Sequence, residues 1–203
     1  MLIANNAHAQ FSIGAGYINP SFNVSSKSES FSESFRLNGF YAGVSYTLPL
    51  LGALKLTPGV YYSNSSYKDV DSWSFISGNT EIQEQYIDIP VMLSFGAKII
   101  PGIKLYAFGG PSLSIGLSSV RKASLSISIP DLPVNVNDSF DNYSDIDGYG
   151  RMNLLLGGGA GVELFSHLRI QICYNLGVLN RNTSEPDTVL HGNQFSAGAA
   201  FVF

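Results

Sequence analysis

Only one cysteine, Cys173, occurs in the 203 residues, which excludes an intramolecular disulfide and leaves a thiolate-rich metal site without ligands. Cys173 is expected to pack as a small buried residue. Charge is scarce, with Asp, Glu, Lys and Arg together at 13%, against the roughly 25% usual in soluble domains. The few basic residues are scattered and the formal net charge is −4, so the footprint that nucleic acid requires is missing. No run of about 18 apolar residues exists, which excludes a transmembrane helix. The remaining way across a bilayer is a closed barrel, whose strands satisfy one another's backbone groups.

What the chain has instead is glycine (21), phenylalanine (13), tyrosine (11) and a strict two-residue rhythm. Eight segments, near residues 11–17, 39–48, 54–63, 86–96, 104–118, 151–164, 168–178 and 194–203, each divide by parity into one apolar set and one small or polar set. In the seventh, Leu168, Ile170, Ile172, Tyr174, Leu176 and Val178 oppose Arg169, Gln171, Cys173, Asn175 and Gly177. In the fifth, Leu113, Ile115 and Leu117 oppose Ser112, Ser114, Gly116 and Ser118. The last, Phe195, Ala197, Ala199, Phe201 and Phe203, stops on a terminal phenylalanine, and Phe201 and Phe203 are read as a C-terminal assembly signal.

The second face carries Gly, Ser, Asn and Tyr with charges of both signs. Lys55, Asp88, Lys104, Arg151, Glu163 and Arg169 share that parity and are expected to form a polar network inside a narrow barrel. Eight strands leave an interior that side chains fill, and a Lys or Arg facing lipid at mid-depth costs about 2–4 kcal/mol. The spacing thus predicts an all-β, eight-stranded, antiparallel up-and-down transmembrane barrel over residues 10–203.

Gaps between segments alternate in length. Residues 19–36, 64–82, 119–149 and 179–192 are long, polar connections, while Pro49–Ala53, Lys98–Gly102 and Phe165–His167 are tight. Short turns on the periplasmic side and four long extracellular loops are expected, with both termini at the short-turn side. Tyr17, Phe40, Tyr62, Phe95, Phe165, Tyr174 and Phe203 would form aromatic girdles. Ala7-x-Ala9 before Gln10 resembles a leader cleavage pattern, so residues 1–9 are read as a residual signal-peptide segment, the alternative being an unstructured polar N-terminus.

The run Gln85-Tyr-Ile-Asp-Ile-Pro-Val-Met-Leu-Ser-Phe95 followed by Leu105-Tyr-Ala-Phe-Gly-Gly-Pro-Ser-Leu-Ser114 resembles the outer-membrane β-barrel domain family that includes the PorT-like proteins and the small OmpA- and OmpX-type barrels. Leu156-Gly-Gly-Gly-Ala-Gly-Val-Glu-Leu-Phe165, Arg169-Ile-Gln-Ile-Cys-Tyr-Asn-Leu-Gly177 and the closing Phe-Val-Phe extend the resemblance over about Gln10 to Phe203. It implies an outer-membrane barrel with no catalytic residues and a link to protein secretion by analogy alone. Pro90 and Pro111 are expected to bend their strands or mark bulges.

Chemistry is sparse. Asp187, His191 and Ser196 have the residue types of a hydrolase triad at the rim. Asp138, Asp141, Asp145 and Asp147, with Gly148, could hold a hard cation, although Tyr143 and Leu154 occupy two ligand positions of a calcium loop. Gly157–Gly161 lacks the Lys-Ser/Thr pair and helix of a phosphate loop and is expected to leave space in the barrel. His167 lies in a short turn without a chemical partner. The expected protein is therefore a monomer of the outer membrane with no catalytic, metal or cofactor site. Its expected partners are outer-membrane lipid, the outer-membrane assembly machinery and an unknown extracellular molecule, with no nucleic acid. Two alternatives from other classes stay open, a lipocalin-like carrier whose apolar parity lines a cavity and a lipid-modifying hydrolase at the rim.

Overall fold

A computed structural model describes residues 9–26, 32–73, 76–127, 134–145, 150–179 and 188–203. Its strands are β1 (Gln10–Ser26), β2 (Ser32–Arg36), β3 (Asn38–Leu51), β4 (Leu54–Trp73), β5 (Ile76–Ile100), β6 (Ile103–Ile127), β7 (Val134–Asp141), β8 (Met152–Leu164), β9 (Leu168–Gly177) and β10 (Thr188–Val202), with one short helix, α1 (Asn142–Asp145). Eight of them form a ring in the order β1, β3, β4, β5, β6, β8, β9, β10, each antiparallel to its neighbours, and β10 closes on β1. The closing ladder runs from Ser12 opposite Val202 to Ser26 opposite Thr188. Phe203 N donates to Phe11 O at 2.9 Å, so even the last residue is tied to the first strand. The ring leaves no open edge in the wall, so the backbone groups of its eight strands find partners there without solvent.

The alternating sequence makes these strands because branched and aromatic residues suit a pleated surface with one packed face. The apolar parity points outward. Ile170 is 45% exposed and Ile172 55%, while their inward neighbours Arg169 and Cys173 are buried. An apolar outer surface of this extent is not tolerated in water and matches hydrocarbon. The lipocalin-like reading needs the opposite arrangement, with the apolar parity toward the axis, and the fold does not have it. Aromatic residues expected at the girdles, Tyr17, Phe40, Phe95, Phe165, Tyr174 and Phe203, stand on the outer surface.

Two of the three tight links are two-residue hairpins, pairing Leu51 with Leu54 and Ile100 with Ile103. Gly52 (φ 59°) and Gly102 (φ 84°) take the left-handed backbone these turns demand. Phe165 and Ser166, in the third, take it without being glycine, at φ 52° and 62°. Phe165 N donates to Gly102 O at 2.7 Å, which braces one short turn against the next.

Three expectations change. The long connections are largely ribbon: β4 and β5 stay paired out to Trp73 opposite Ile76, and β6 continues to Ile127, pairing with β7. A strand needs only about 9–11 residues to cross a bilayer, so β5 and β6, at 25 residues each, project far beyond it. Polar composition suggested irregular loops, but the backbone pairing simply outlasts the oily pattern. Second, Pro90 and Pro111 leave gaps in the ladder without shifting register, and the bulges fall elsewhere, between Pro49 and Leu51, Gln85 and Tyr86, and Lys98 and Ile100. Third, the bulge at Gln85 and Tyr86 inserts Leu117 as an extra residue on β6, pairing Gln85 with Ser118 and Tyr86 with Gly116. Inward parity beyond it passes to Ser119, which is fully buried, whereas Ser118, placed inside by a rigid period of two, is only half-buried. The residual signal-peptide segment lies outside the described residues up to position 8.

Candidate functional site

The interior is the one place where the described chain concentrates polar chemistry, and it is layered along the barrel axis. At the short-turn end Glu163 and Arg169 are cross-strand partners on β8 and β9. Arg169 Nε donates to Glu163 Oε2 at 2.8 Å, and its two outer nitrogens donate to Thr47 Oγ1 and Gln10 Oε1, both at 3.0 Å. One guanidinium thus ties β9 to β8, β3 and β1, using the planar fork that makes arginine suited to several acceptors at once. Lys55 Nζ donates to the same Gln10 Oε1 at 3.2 Å, and Lys104 faces Glu163 across the β6–β8 ladder.

Above this lies a tier of rings. Tyr41 and Tyr61 meet edge-on with centroids 5.6 Å apart, Tyr106 and Phe108 are tilted at 5.9 Å, and Tyr106 Oη donates to Gln171 Oε1 at 3.1 Å. The lumenal glycines make room for these rings. A Cβ on Gly161 would stand 2.5 Å from the Tyr106 ring, one on Gly159 2.8 Å from Phe108, and one on Gly59 2.7 Å from Tyr61. The glycine run at 157–161 therefore supplies space, as expected.

Higher still, Asp88 is buried, accepting from Ser63 Oγ at 2.8 Å and from Ser114 Oγ. Four residues nearer the ribbons along β5, Glu84 accepts from Ser119 Oγ at 3.0 Å and from Tyr86 Oη, and Asn142 Nδ2 donates to Ser119 Oγ at 2.9 Å. Phe22, Leu37 and Ile82, all buried, close the ribbon end, with Tyr67 packed against them. Leu37 is held there by its backbone, its N–H donating to Pro20 O at 2.8 Å and its carbonyl accepting from Asn19 Nδ2 at 2.7 Å. Between this cap and the Arg169 layer lies a cavity of about 140 Å³.

Of the six residues expected in the lumen, Lys55, Lys104, Glu163 and Arg169 come together at the short-turn end, and Asp88 lines the same cavity farther up. Arg151 does not join them. It precedes β8, is exposed, and lays its guanidinium 4.9 Å from the centre of the Tyr143 ring. Its parity matched, but the inward rhythm begins only once β8 enters the wall. Sequence reasoning missed Glu84, whose signal was the parity of Asp88 and Tyr86 carried two residues back. It also missed Gln10 and Thr47, which only barrel closure brings to Arg169.

The other candidates separate. His191 and Ser196 are five residues apart on the regular strand β10, which puts them on opposite faces and roughly 16 Å apart at about 3.3 Å per residue. They cannot act as base and nucleophile, and Asp187 lies outside the described residues. Asp138 accepts from Ser139 N at 2.9 Å and Asp141 from Tyr143 N at 3.0 Å; Asp147, Gly148 and the Asp145 side chain lie outside the described residues. No group of three His, Cys, Asp or Glu able to hold a metal occurs among the described residues. His167 turns its Nδ1 to Phe165 O at 2.6 Å within the turn. Cys173 is buried, donating to Asn175 Oδ1 at 3.4 Å.

Comparison with known proteins agrees with this architecture. Residues 4–181 match the family described as outer membrane protein beta-barrel domain. No curated protein matches the sequence. Among solved structures, Ail, the attachment invasion locus protein of Yersinia pestis, is 15% identical over 97% of this chain and 100% of its own, with a TM-score of 0.44. Neisserial surface protein A is 14% identical over 95% and 97%, with a TM-score of 0.47. The outer membrane protease OmpT from Escherichia coli is 9% identical over 96% of each chain, with a TM-score of 0.38. These likenesses are weak, and the assignment rests on the family match together with the closed ring and its oily exterior: the chain belongs to the outer-membrane β-barrel domain family and is an integral protein of the outer membrane.

Proposed function

We propose that this barrel is a structural or surface-interaction protein, working as a monomer without enzymatic activity, and that its projecting β-ribbons face the cell exterior. The observation that carries the reading is a lumen without a through-passage. Phe22, Leu37 and Ile82 pack over its ribbon end, so no open channel runs through the barrel and function falls to the surfaces at the two ends. Closure of β10 on β1 supports the monomer, since the ring of eight strands has no open edge within its wall. The ribbons pair regularly well past the membrane, which favours a rigid display over a mobile one.

A part in protein secretion, implied by the PorT-like resemblance, would be exercised through the same ribbons and short turns. The experiment replaces the β4–β5 and β6–β7 ribbons with short turns and compares proteins crosslinked to each form in intact membranes, with single-channel recording alongside. Loss of specific crosslinks with the barrel still folded is the expected result. A stable, ribbon-independent conductance in planar bilayers would overturn the reading.

A further inference from the structure

The charge balance of the lumen is uneven. Lys55, Lys104, Arg169, Glu163 and Asp88 all line the 140 Å³ cavity, but Asp88 is six residues along β5 from Ser94, the residue opposite Lys55. That is about 20 Å of strand at roughly 3.3 Å per residue, and both Asp88 oxygens are taken by Ser63 and Ser114. At the short-turn end three cations therefore share one carboxylate, and Glu163 is already committed to Arg169. Among the described residues neither Lys55 nor Lys104 forms an ion pair. Both lysines line the same cavity as Arg169. Like charges gathered in a confined, poorly solvated space are unfavourable unless an anion joins them.

Access is from one side. The ribbon end is covered by the apolar cap, while Lys55 and Lys104, each the second residue of its strand, stay partly exposed beside the short turns. The wall directly above the lysines is aromatic, with Tyr106 and Phe108 following Lys104 on the same inward face of β6. Cations below and ring faces above are the complement of a molecule with an anionic head and a flat apolar body.

We infer that the short-turn half of the lumen binds a small organic acid, its carboxylate held between Lys55 and Lys104 and its body against Tyr106 and Phe108. The inference is independent of what the ribbons contact. Benzoate is the probe, titrated by calorimetry into detergent-folded protein, with inorganic phosphate as the bodiless comparison. Saturable 1:1 binding of benzoate is expected, at least tenfold weaker in the double variant Lys55→Gln, Lys104→Gln and unchanged in Arg151→Gln, with phosphate binding at least tenfold more weakly than benzoate. Heat-modifiable gel mobility confirms that each variant is folded, and Lys55→Met, Lys104→Met serves if the first does not fold. Absence of saturable heat, undiminished binding in the folded double variant, or phosphate binding as tightly as benzoate would each overturn it.

Discussion

Glu163→Gln should destabilise the barrel more than Arg169→Met, although the two residues belong to one ion pair. Both are buried, with 7% and 9% of their surface exposed, and removing one member of a buried pair costs about 3–5 kcal/mol. The surroundings make the two losses unequal. Glu163→Gln leaves Arg169, Lys55 and Lys104 together with no compensating anion, which places it at the upper end of that range. Arg169→Met leaves Glu163 facing Lys104 across the β6–β8 ladder, so its carboxylate keeps a cation, and Gln10 Oε1 keeps Lys55; the cost is about 2–3 kcal/mol. The double variant removes both charges and should cost less than the sum of the singles by about 1–3 kcal/mol. Equilibrium urea unfolding from phospholipid vesicles, followed by fluorescence and by gel mobility, measures all three. An Arg169→Met that is the costlier single change, or a double variant additive to within about 0.5 kcal/mol, would refute the picture of one carboxylate shared among three cations.

Gly161→Ala should lose about 1–3 kcal/mol from overpacking, because its Cβ would meet the Tyr106 ring at 2.5 Å and Ile170 O at 2.7 Å; equal stability to Gly109→Ala, whose nearest contact is 3.2 Å, would contradict the role of lumenal glycines as ring cradles. Ile172→Lys, at the middle of β9 on the outer face, should cost about 2–4 kcal/mol in vesicles, and a neutral result there would mean that this face does not meet hydrocarbon. Deleting Phe203 removes the 2.9 Å bond to Phe11 O and the ring contact with Phe201 at 5.0 Å, and should lower the heat-modifiable fraction in cell envelopes several-fold; an unchanged fraction argues against Phe201 and Phe203 as an assembly signal.

The wall of the barrel was legible because its rule is local. Leu168, Ile170 and Ile172 against Arg169, Gln171 and Cys173 need only the period of a strand to be sorted into two faces. Glycines at 52 and 102 likewise announced tight turns. The interior was legible only as a list of inward parities. That Gln10 accepts from both Arg169 and Lys55 depends on β1 meeting β9 and β4 through the ring, separations of 159 and 45 residues that no local pattern encodes. Arg151 failed because parity outside a paired strand has no meaning.

Alternation without long apolar runs or abundant charge determined by itself that this chain would curl its strands into a membrane-spanning wall, since only closure satisfies the backbone once the outer face is oily. Tertiary structure decided the rest. Ring closure set which lumenal charges meet, a single extra residue at Leu117 handed the inward face from Ser118 to Ser119, and continued hydrogen bonding turned supposed loops into ribbons. The physical reason is that side-chain periodicity is a property of neighbouring residues, whereas register, bulges and cross-barrel contacts are fixed by pairing energies between strands distant in sequence.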